Sequence, residues 1–405
     1  MNIGGRPAPA RASGAKGPIF FAMDDGNIEL IQIIRDGIRA RGPAPFAWFM
    51  EQALYHPEHG YYGSGQCAIG RRGDYFTSVS VGPLFGKLIA GQFAEIWEGL
   101  NRPNDFVIVE QGAHHGEFAT DVLEALRVQH PEFFAVLRYR IVEPFPILRQ
   151  RQARVLQAFA GKTEWAASLG EMDRFCGVHF SNELLDAMPV HLLKAAGEGE
   201  ARRWHERFVE RTSCGFTFVD RPVTEARLLE RLAKIPPPPA DSYETEINLT
   251  ALDWIETLAG KLDRGVVLVA DYGLARSEFY APNRRAGTLQ CYAEHRVLPS
   301  LLERVGASDL TTHVEWTSLA ERAEECGLHI AGFTDQHHFL TGLLSSHPAL
   351  ASAGAEKSRA LQTLIYPEFL GTKFQFLALT KEMSSASSLG GFKFARDART
   401  ALGLV

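Results

Sequence analysis

Cysteine is scarce in this 405-residue chain, and what there is does not pair. Five residues, at 67, 176, 214, 291 and 326, make an odd, scattered set with no CxxC spacing. That pattern excludes a disulfide framework or a Cys-based zinc site and fits a reducing compartment. An excess of positive charge is also missing. Forty-two Lys and Arg against 48 Asp and Glu leave −6, which gives no electrostatic ground for nucleic acid or an anionic membrane as partner. Long apolar runs are lacking as well. Val266-Val-Leu-Val-Ala270 is typical, and it falls far short of the ~20 residues that span a bilayer. No secretory apolar region stands near the N-terminus. Acids are absent from the first 17 residues, which are rich in Gly, Ala and Pro and carry Arg6, Arg11 and Lys16. A disordered tail over 1–26 is the expectation, with a short organellar presequence as the alternative. No HExxH spacing is present, and the adjacent pairs His114–His115 and His337–His338 are expected to point their rings apart, so no metal site is expected.

What is present is ordinary globular material, 45% apolar and 22% charged, enough for a large core. Apolar residues Ile28, Leu30, Ile31, Ile34 and Ile38 share one face and predict a helix over 27–40. Further helices are expected over 45–54 and 83–99. The glycine-rich stretch between them, from Gly60 to Ser78, has the look of a functional loop. From Asp105 onward, short apolar runs recur without alternation: 106–110, 138–143, 177–182, 265–271, 328–334 and 374–380. Helical segments separate most of them, which indicates a parallel sheet buried on both faces. The expected architecture is α/β, a doubly wound, mostly parallel Rossmann-like sheet. A helical cap with the glycine-rich loop occupies 27–104 and the core 105–381. Insertions fall at about 190–246, of antiparallel character, and 274–313, of irregular character, and a C-terminal tail covers 382–405.

Ligands of open α/β sheets sit beyond the carboxyl ends of the strands. Four motifs fall there. Glu110-Gln-Gly112-Ala-His-His-Gly116 meets a nicotinamide fingerprint at only one of three glycines. It meets the acid-x-Gly-x-Gly-x-Gly turn used for S-adenosyl-L-methionine at Glu110, Gly112 and Gly116; a tight turn without a ligand is the bland alternative. Glu143 ends the next strand, where a carboxylate can accept both ribose hydroxyls of an adenosyl group. Ser181-Asn182-Glu183-Leu-Leu-Asp186 and Ala270-Asp271-Tyr272-Gly273 add polar groups at two more strand ends.

These residues carry a resemblance. Ala53-Leu-Tyr-His-Pro-Glu-His-Gly-Tyr-Tyr62, Gly73-Asp-Tyr-Phe-Thr-Ser78, Asn182-Glu-Leu-Leu-Asp-Ala-Met-Pro-Val190, Trp204-His-Glu-Arg207, Asp271-Tyr-Gly273, Gly287-Thr-Leu289, Asp309-Leu-Thr-Thr-His-Val314 and Gly371-Thr-Lys-Phe374 run collinearly with one family. From about Phe49 to Lys381 the chain resembles the MidA-like S-adenosylmethionine-dependent methyltransferases. Mitochondrial members of that family assist complex I assembly by methylating arginine on a subunit of the NADH dehydrogenase. The resemblance implies a class I methyltransferase sheet with its last strand antiparallel, and S-adenosyl-L-methionine as cofactor. It also implies a protein substrate, with a respiratory-complex subunit as one candidate, and leaves a homodimer open. The cofactor-binding set is then Gly73, Asp74, Thr77, Ser78, Glu110, Gly112, His114, Gly116, Glu143 and Asn182, the 73–78 loop closing over the ligand. If the acceptor is arginine, Glu183 and Asp186, with Asp271 third, are the catalytic candidates. The family's loop reads Glu-Leu-Gly-Pro-Gly-Arg-Gly, so His114 replaces a glycine. The alternatives are a weakly active or inactive assembly factor and a small-molecule methyltransferase. The compartment is read as cytoplasmic, with the mitochondrial matrix as alternative.

Overall fold

Unbroken apolar runs become central strands because both faces of such a strand must be covered. The computed structural model describes residues 26–65, 78–197, 202–294, 296–346, 355–383 and 389–404. Its main sheet comprises β1 (Phe106–Gln111), β2 (Leu137–Val142), β3 (Thr163–Ala166), β4 (Phe175–Asn182), β5 (Leu262–Leu274), β6 (His329–Asp335) and β7 (Phe374–Lys381). The spatial order is β6-β7-β5-β4-β1-β2-β3, with a two-residue strand, Val314–Glu315, beside the end of β5. Pairings from β3 across to β5 are parallel, whereas β7 runs antiparallel to both β5 and β6. The helices Leu84–Gly99 and Glu117–Gln129 cover one face, their Phe85, Phe93, Phe118 and Leu123 packing on Ile108, Phe180 and Leu268. Leu249–Lys261 and Trp316–Glu325 cover the other, with Trp254, Ile255 and Trp316 against Val107, Val267 and Leu377.

A second sheet lies in the insertion expected to be antiparallel: His191–Ala196, Arg203–Arg211, Phe216–Pro222 and Glu244–Ile247, with Ala44–Pro45 added from the N-terminal region. The helices Ile28–Arg41 and Phe46–Tyr55 pack on it through Leu30, Ile34, Phe46 and Phe49, which meet Val190, Val209, Leu289 and Leu310. The cap and the two insertions therefore form one lobe. Helix Leu84–Gly99, grouped with the cap from sequence, belongs to the core instead. The segment around 290–311 contains a small three-stranded sheet rather than irregular chain.

Two further expectations change. Residues 389–404, expected as a C-terminal tail, pack against the core. Gly390 N–H donates to Glu95 Oε2 (2.7 Å) and Gly391 N–H to Gln92 Oε1 (2.9 Å), while Leu402 is buried. The glycines of 60–65 serve close packing, not flexibility: a Cβ on Gly60 would stand 2.5 Å from the His56 nitrogen and one on Gly63 2.2 Å from the His56 oxygen. Gly73, Asp74 and Thr77 lie outside the described residues, as does the 1–25 stretch. Among the described residues no helix is long and apolar enough to cross a membrane.

Candidate active site

The strand order reverses between β1 and β4, and the polar residues converge on that edge. After Gln111 the chain turns through Gly112 (φ +83) and His114 (φ +46) to Gly116 (φ +91), which starts helix Glu117–Gln129. Gly116 N–H closes the turn on the Ala113 carbonyl at 2.8 Å. Beneath it, Glu110 accepts from the Tyr139 hydroxyl at 2.8 Å, and burial pushes its carboxyl up to about 8.

Glu143 sits at the end of β2, almost fully buried. Its two oxygens accept from Phe145 N–H and from Gln152 Nε2, each at 3.0 Å. The same Gln152 amide donates to the His114 carbonyl (2.9 Å) and accepts from Trp165 Nε1 (2.9 Å). One neutral side chain thus ties the acid of β2, the glycine turn and β3 together. Nothing in the spacing of residues marked Gln152.

At the end of β4, Glu183 takes a left-handed φ of +52, and its N–H donates to the Ala270 carbonyl at 3.0 Å. A side chain held in that region marks a constrained, often functional, position. Asn182 Nδ2 donates to Glu183 Oε1 (2.8 Å) and the Tyr272 hydroxyl to Oε2 (3.3 Å). Burial, with Asp271 and Asp309 nearby, pushes the Glu183 carboxyl up to about 8. Asp186 is also raised, by burial and by Asp271.

Two cavities meet at Glu183. A smaller one of about 160 Å³ is lined by Glu110, Gly112, His114, His115, Glu117 and Asn182, with Glu183 at its edge. A larger one of about 690 Å³ is lined by Glu183, Asp186, Tyr272, Asp309, Thr288 and Thr312, among others. Asp309 comes from the lobe, and the Tyr62 hydroxyl holds its Oδ1 at 2.7 Å. Thr288 is in turn positioned by buried Glu246, which accepts from Thr288 N–H and Leu289 N–H, each at 2.9 Å. Asp309 and Tyr62 belong to motifs that carry the resemblance, and that is the only sequence signal they gave.

Asp271 is put to a different use from the one expected. It is fully buried and lines neither cavity. Its Oδ2 accepts from Leu184 N–H (3.1 Å) and Leu185 N–H (2.8 Å), and its Oδ1 from Tyr272 N–H (2.8 Å). It shapes the turn that presents Glu183 and Asp186. Ser78, expected to contact the cofactor, is fully buried and donates to Gln336 Oε1 at 2.9 Å. Glu143 does not line the smaller cavity, where Glu110, Gly112, His114, Gly116's neighbour Glu117 and Asn182 do. The His114 and His115 rings, expected to diverge, stand 3.7 Å apart centroid to centroid, because the left-handed turn folds them together.

The residues present fit an adenosyl sulfonium ligand. Asn182 Oδ1 is buried without a hydrogen-bond partner among the described residues and lines the smaller cavity. That cavity carries three carboxylates and neither Lys nor Arg, which suits a cation bearing an ammonium group. The sheet order, the antiparallel β7 and the turn after β1 define a Rossmann-like methyltransferase. Residues 88–334 match the family described as "Putative S-adenosyl-L-methionine-dependent methyltransferase", and the chain belongs to that family. It is an S-adenosylmethionine-dependent methyltransferase.

A crystallised protein from Burkholderia thailandensis, bound to S-adenosyl-homocysteine, superposes with a TM-score of 0.81 at 30% identity, covering 92% of this chain and 96% of that one. A Drosophila melanogaster relative, the mitochondrial protein arginine methyltransferase NDUFAF7 homolog, is 27% identical over 88% of this chain and 86% of its own length. The Homo sapiens protein arginine methyltransferase NDUFAF7, mitochondrial, is 24% identical over 89% and 85%. The relatives' mitochondrial names lend no support to the cytoplasmic expectation.

Proposed function

We propose that this methyltransferase acts on the guanidinium of an arginine in a protein, and that its cavities divide the task at Glu183. The observation that carries the reading is the acid content of the larger cavity: Glu183, Asp186, Asp309 and Glu368 line it, with Lys373 and His313 as the basic residues. Burial and mutual proximity raise the Glu183 and Asp186 carboxyls, so an entering guanidinium relieves their repulsion and is gripped by charge-assisted hydrogen bonds. An uncharged acceptor would gain nothing from the arrangement. The relatives' names, protein arginine methyltransferases, favour the same acceptor and favour the mitochondrial matrix as the compartment.

In this reading Glu110, Gly112 and Asn182 hold the cofactor from the glycine-turn side, and Asn182 Oδ1 accepts from its ammonium group. Glu143 and Gln152 fix the turn beneath the adenosyl moiety. Bound S-adenosylmethionine supplies an electrophilic methyl group. Glu183 orients a guanidinium nitrogen toward it, and Asp186 accepts the proton that nitrogen sheds. Asp271 acts through the backbone, by holding the 183–186 turn. Positioning at a reacting distance of ~3–3.5 Å supplies much of such a rate enhancement.

The test is Glu183→Gln with radiolabelled S-adenosylmethionine and arginine-containing protein or peptide acceptors. Cofactor affinity should stay within about threefold of the parent while transfer is lost, because the amide keeps the shape and removes the charge. Undiminished transfer in the variant would dismiss Glu183 from the acceptor site and favour a small, uncharged acceptor. Absence of transfer by the parent, with partner binding intact, would favour a scaffold.

A further inference from the structure

The smaller cavity contains a cluster that methyl transfer leaves unused. His114 and His115 lie nearly face to face, 3.7 Å between centroids and tilted by 30°. His115 Nδ1 is 3.7 Å from Glu117 Oε1, and ligand atoms of all three residues fall within 4.8 Å of one another. The backbone is bent to bring them there. His114 holds φ +46, a left-handed conformation that strains a residue with a Cβ. Gln152 pins that bend from below by donating to the His114 carbonyl. His115 Nε2 is buried and has no hydrogen-bond partner among the described residues.

Stacked imidazoles gain little from each other and repel when both are charged, whereas a shared cation turns the pair into a chelate. The positive end of helix Glu117–Gln129 works against a cation here. The Glu117 side chain of the cluster itself, with no Lys or Arg among the lining residues of the cavity, offsets it.

We propose that His114, His115 and Glu117 form a binding site for a divalent transition-metal ion of the zinc type at the glycine turn. Two imidazole nitrogens and one carboxylate are a borderline donor set that suits Zn²⁺, Co²⁺ or Ni²⁺ and not Mg²⁺ or Ca²⁺, which prefer oxygen throughout. Bonds of ~2.0–2.2 Å would draw the donor atoms to roughly 3.3–3.5 Å apart, which side-chain rotation of about 1 Å achieves. Three protein ligands leave a coordination position open toward the cavity. The site does not depend on which acceptor is methylated.

Calorimetric titration of the full chain with zinc chloride tests the proposal directly. One saturable ion per chain is expected. His115→Ala and Glu117→Gln should each weaken binding at least tenfold. His338→Ala, in the adjacent pair whose rings stand 5.1 Å apart at 82°, should leave it unchanged. Cobalt(II) should give the visible absorption of a low-symmetry four-coordinate site, lost in the same two variants. Circular dichroism and thermal melts establish that the variants fold. Absence of saturable zinc binding overturns the proposal, and so does full affinity in a folded His115→Ala/Glu117→Gln double variant.

Discussion

Replacing the Glu183 carboxylate by an amide removes a charge that the folded protein holds at a disadvantage. Burial and the neighbouring Asp271 and Asp309 push the group from 4.5 up to about 8. Between those values the native state keeps a proton that the unfolded chain releases. Stability therefore falls as pH rises through the window, and a neutral side chain escapes the loss. At ~1.36 kcal/mol per pH unit the window corresponds to at most ~5 kcal/mol. Glu183 is only partly buried and faces the larger cavity, so solvent screening leaves about half, ~2–3 kcal/mol. The amide of Glu183→Gln can still accept from Asn182 Nδ2 and donate to the Tyr272 hydroxyl, so the turn itself is preserved. An unfolding entropy of ~2.1 cal/mol/K per residue converts the gain into a melting temperature about 3 °C above the parent at pH 8.5 to 9. Near pH 4.5 the two proteins should melt together. Differential scanning calorimetry at intervals of one pH unit reads the difference. A constant offset across pH would refute the reasoning. So would a variant that loses ground as pH rises, since that would mean the carboxylate sits in a net favourable pairing. The expected result is a variant that is inactive and more robust, the usual sign of a group strained for function.

Three other outcomes follow from the same geometry. Glu143→Ala should weaken S-adenosylhomocysteine binding by roughly 1–3 kcal/mol, by loosening Gln152 and with it the glycine turn; unchanged affinity in a folded variant would take the Glu143–Gln152 anchor out of cofactor binding. His114→Gly relieves the left-handed strain, so calorimetry should find cofactor affinity equal to or tighter than the parent's; a marked loss would make the imidazole a cofactor contact. Asp309→Asn keeps an acceptor for the Tyr62 hydroxyl and removes a charge, so KM for a cationic acceptor should rise about tenfold with cofactor affinity unmoved; an unchanged KM would take Asp309 out of the acceptor wall.

Much of the core could be read from the chain because its signals were local. The runs in β1, β4, β5 and β7 are largely apolar on both faces, β2 alternates Arg138 and Arg140 with buried Leu137, Tyr139 and Ile141, and acids or amides at the strand ends mark the ligand edge. Strand β3 escaped notice because its four residues, Thr163 to Ala166, include an exposed Glu164 and supply no apolar run. Asp309 escaped as a site residue because its strand, Asp309–Thr311, is three residues long and lies in an insertion with little periodicity. Its role depends on tertiary approach, which spacing does not encode. Asp271 lies inside β5, just past the point where its pairing with β4 stops at Ala270, and only the geometry reveals that backbone N–H groups occupy its oxygens. The His114–His115 pair departs from the expected divergence for a conformational reason. Neighbours point apart on an extended chain, and a single positive φ reverses that.

The lobe's dependence on distant segments has a consequence for how the protein is made. Asn27 N–H finds its partner on Val305, and Ala44 pairs with Val209. The helices that emerge first must therefore wait for chain that is synthesised much later. Roughly 280 residues separate Asn27 from Val305, and at ~5–20 residues per second the interval is about 15–55 s. Until Val190 and Val209 and then Leu289 and Leu310 follow, Leu30, Ile34, Phe46 and Phe49, all fully buried in the finished molecule, lack their complete native cover. The larger cavity is completed later still, when Gln375 of β7 arrives. The larger cavity is thus among the last parts of the molecule to exist.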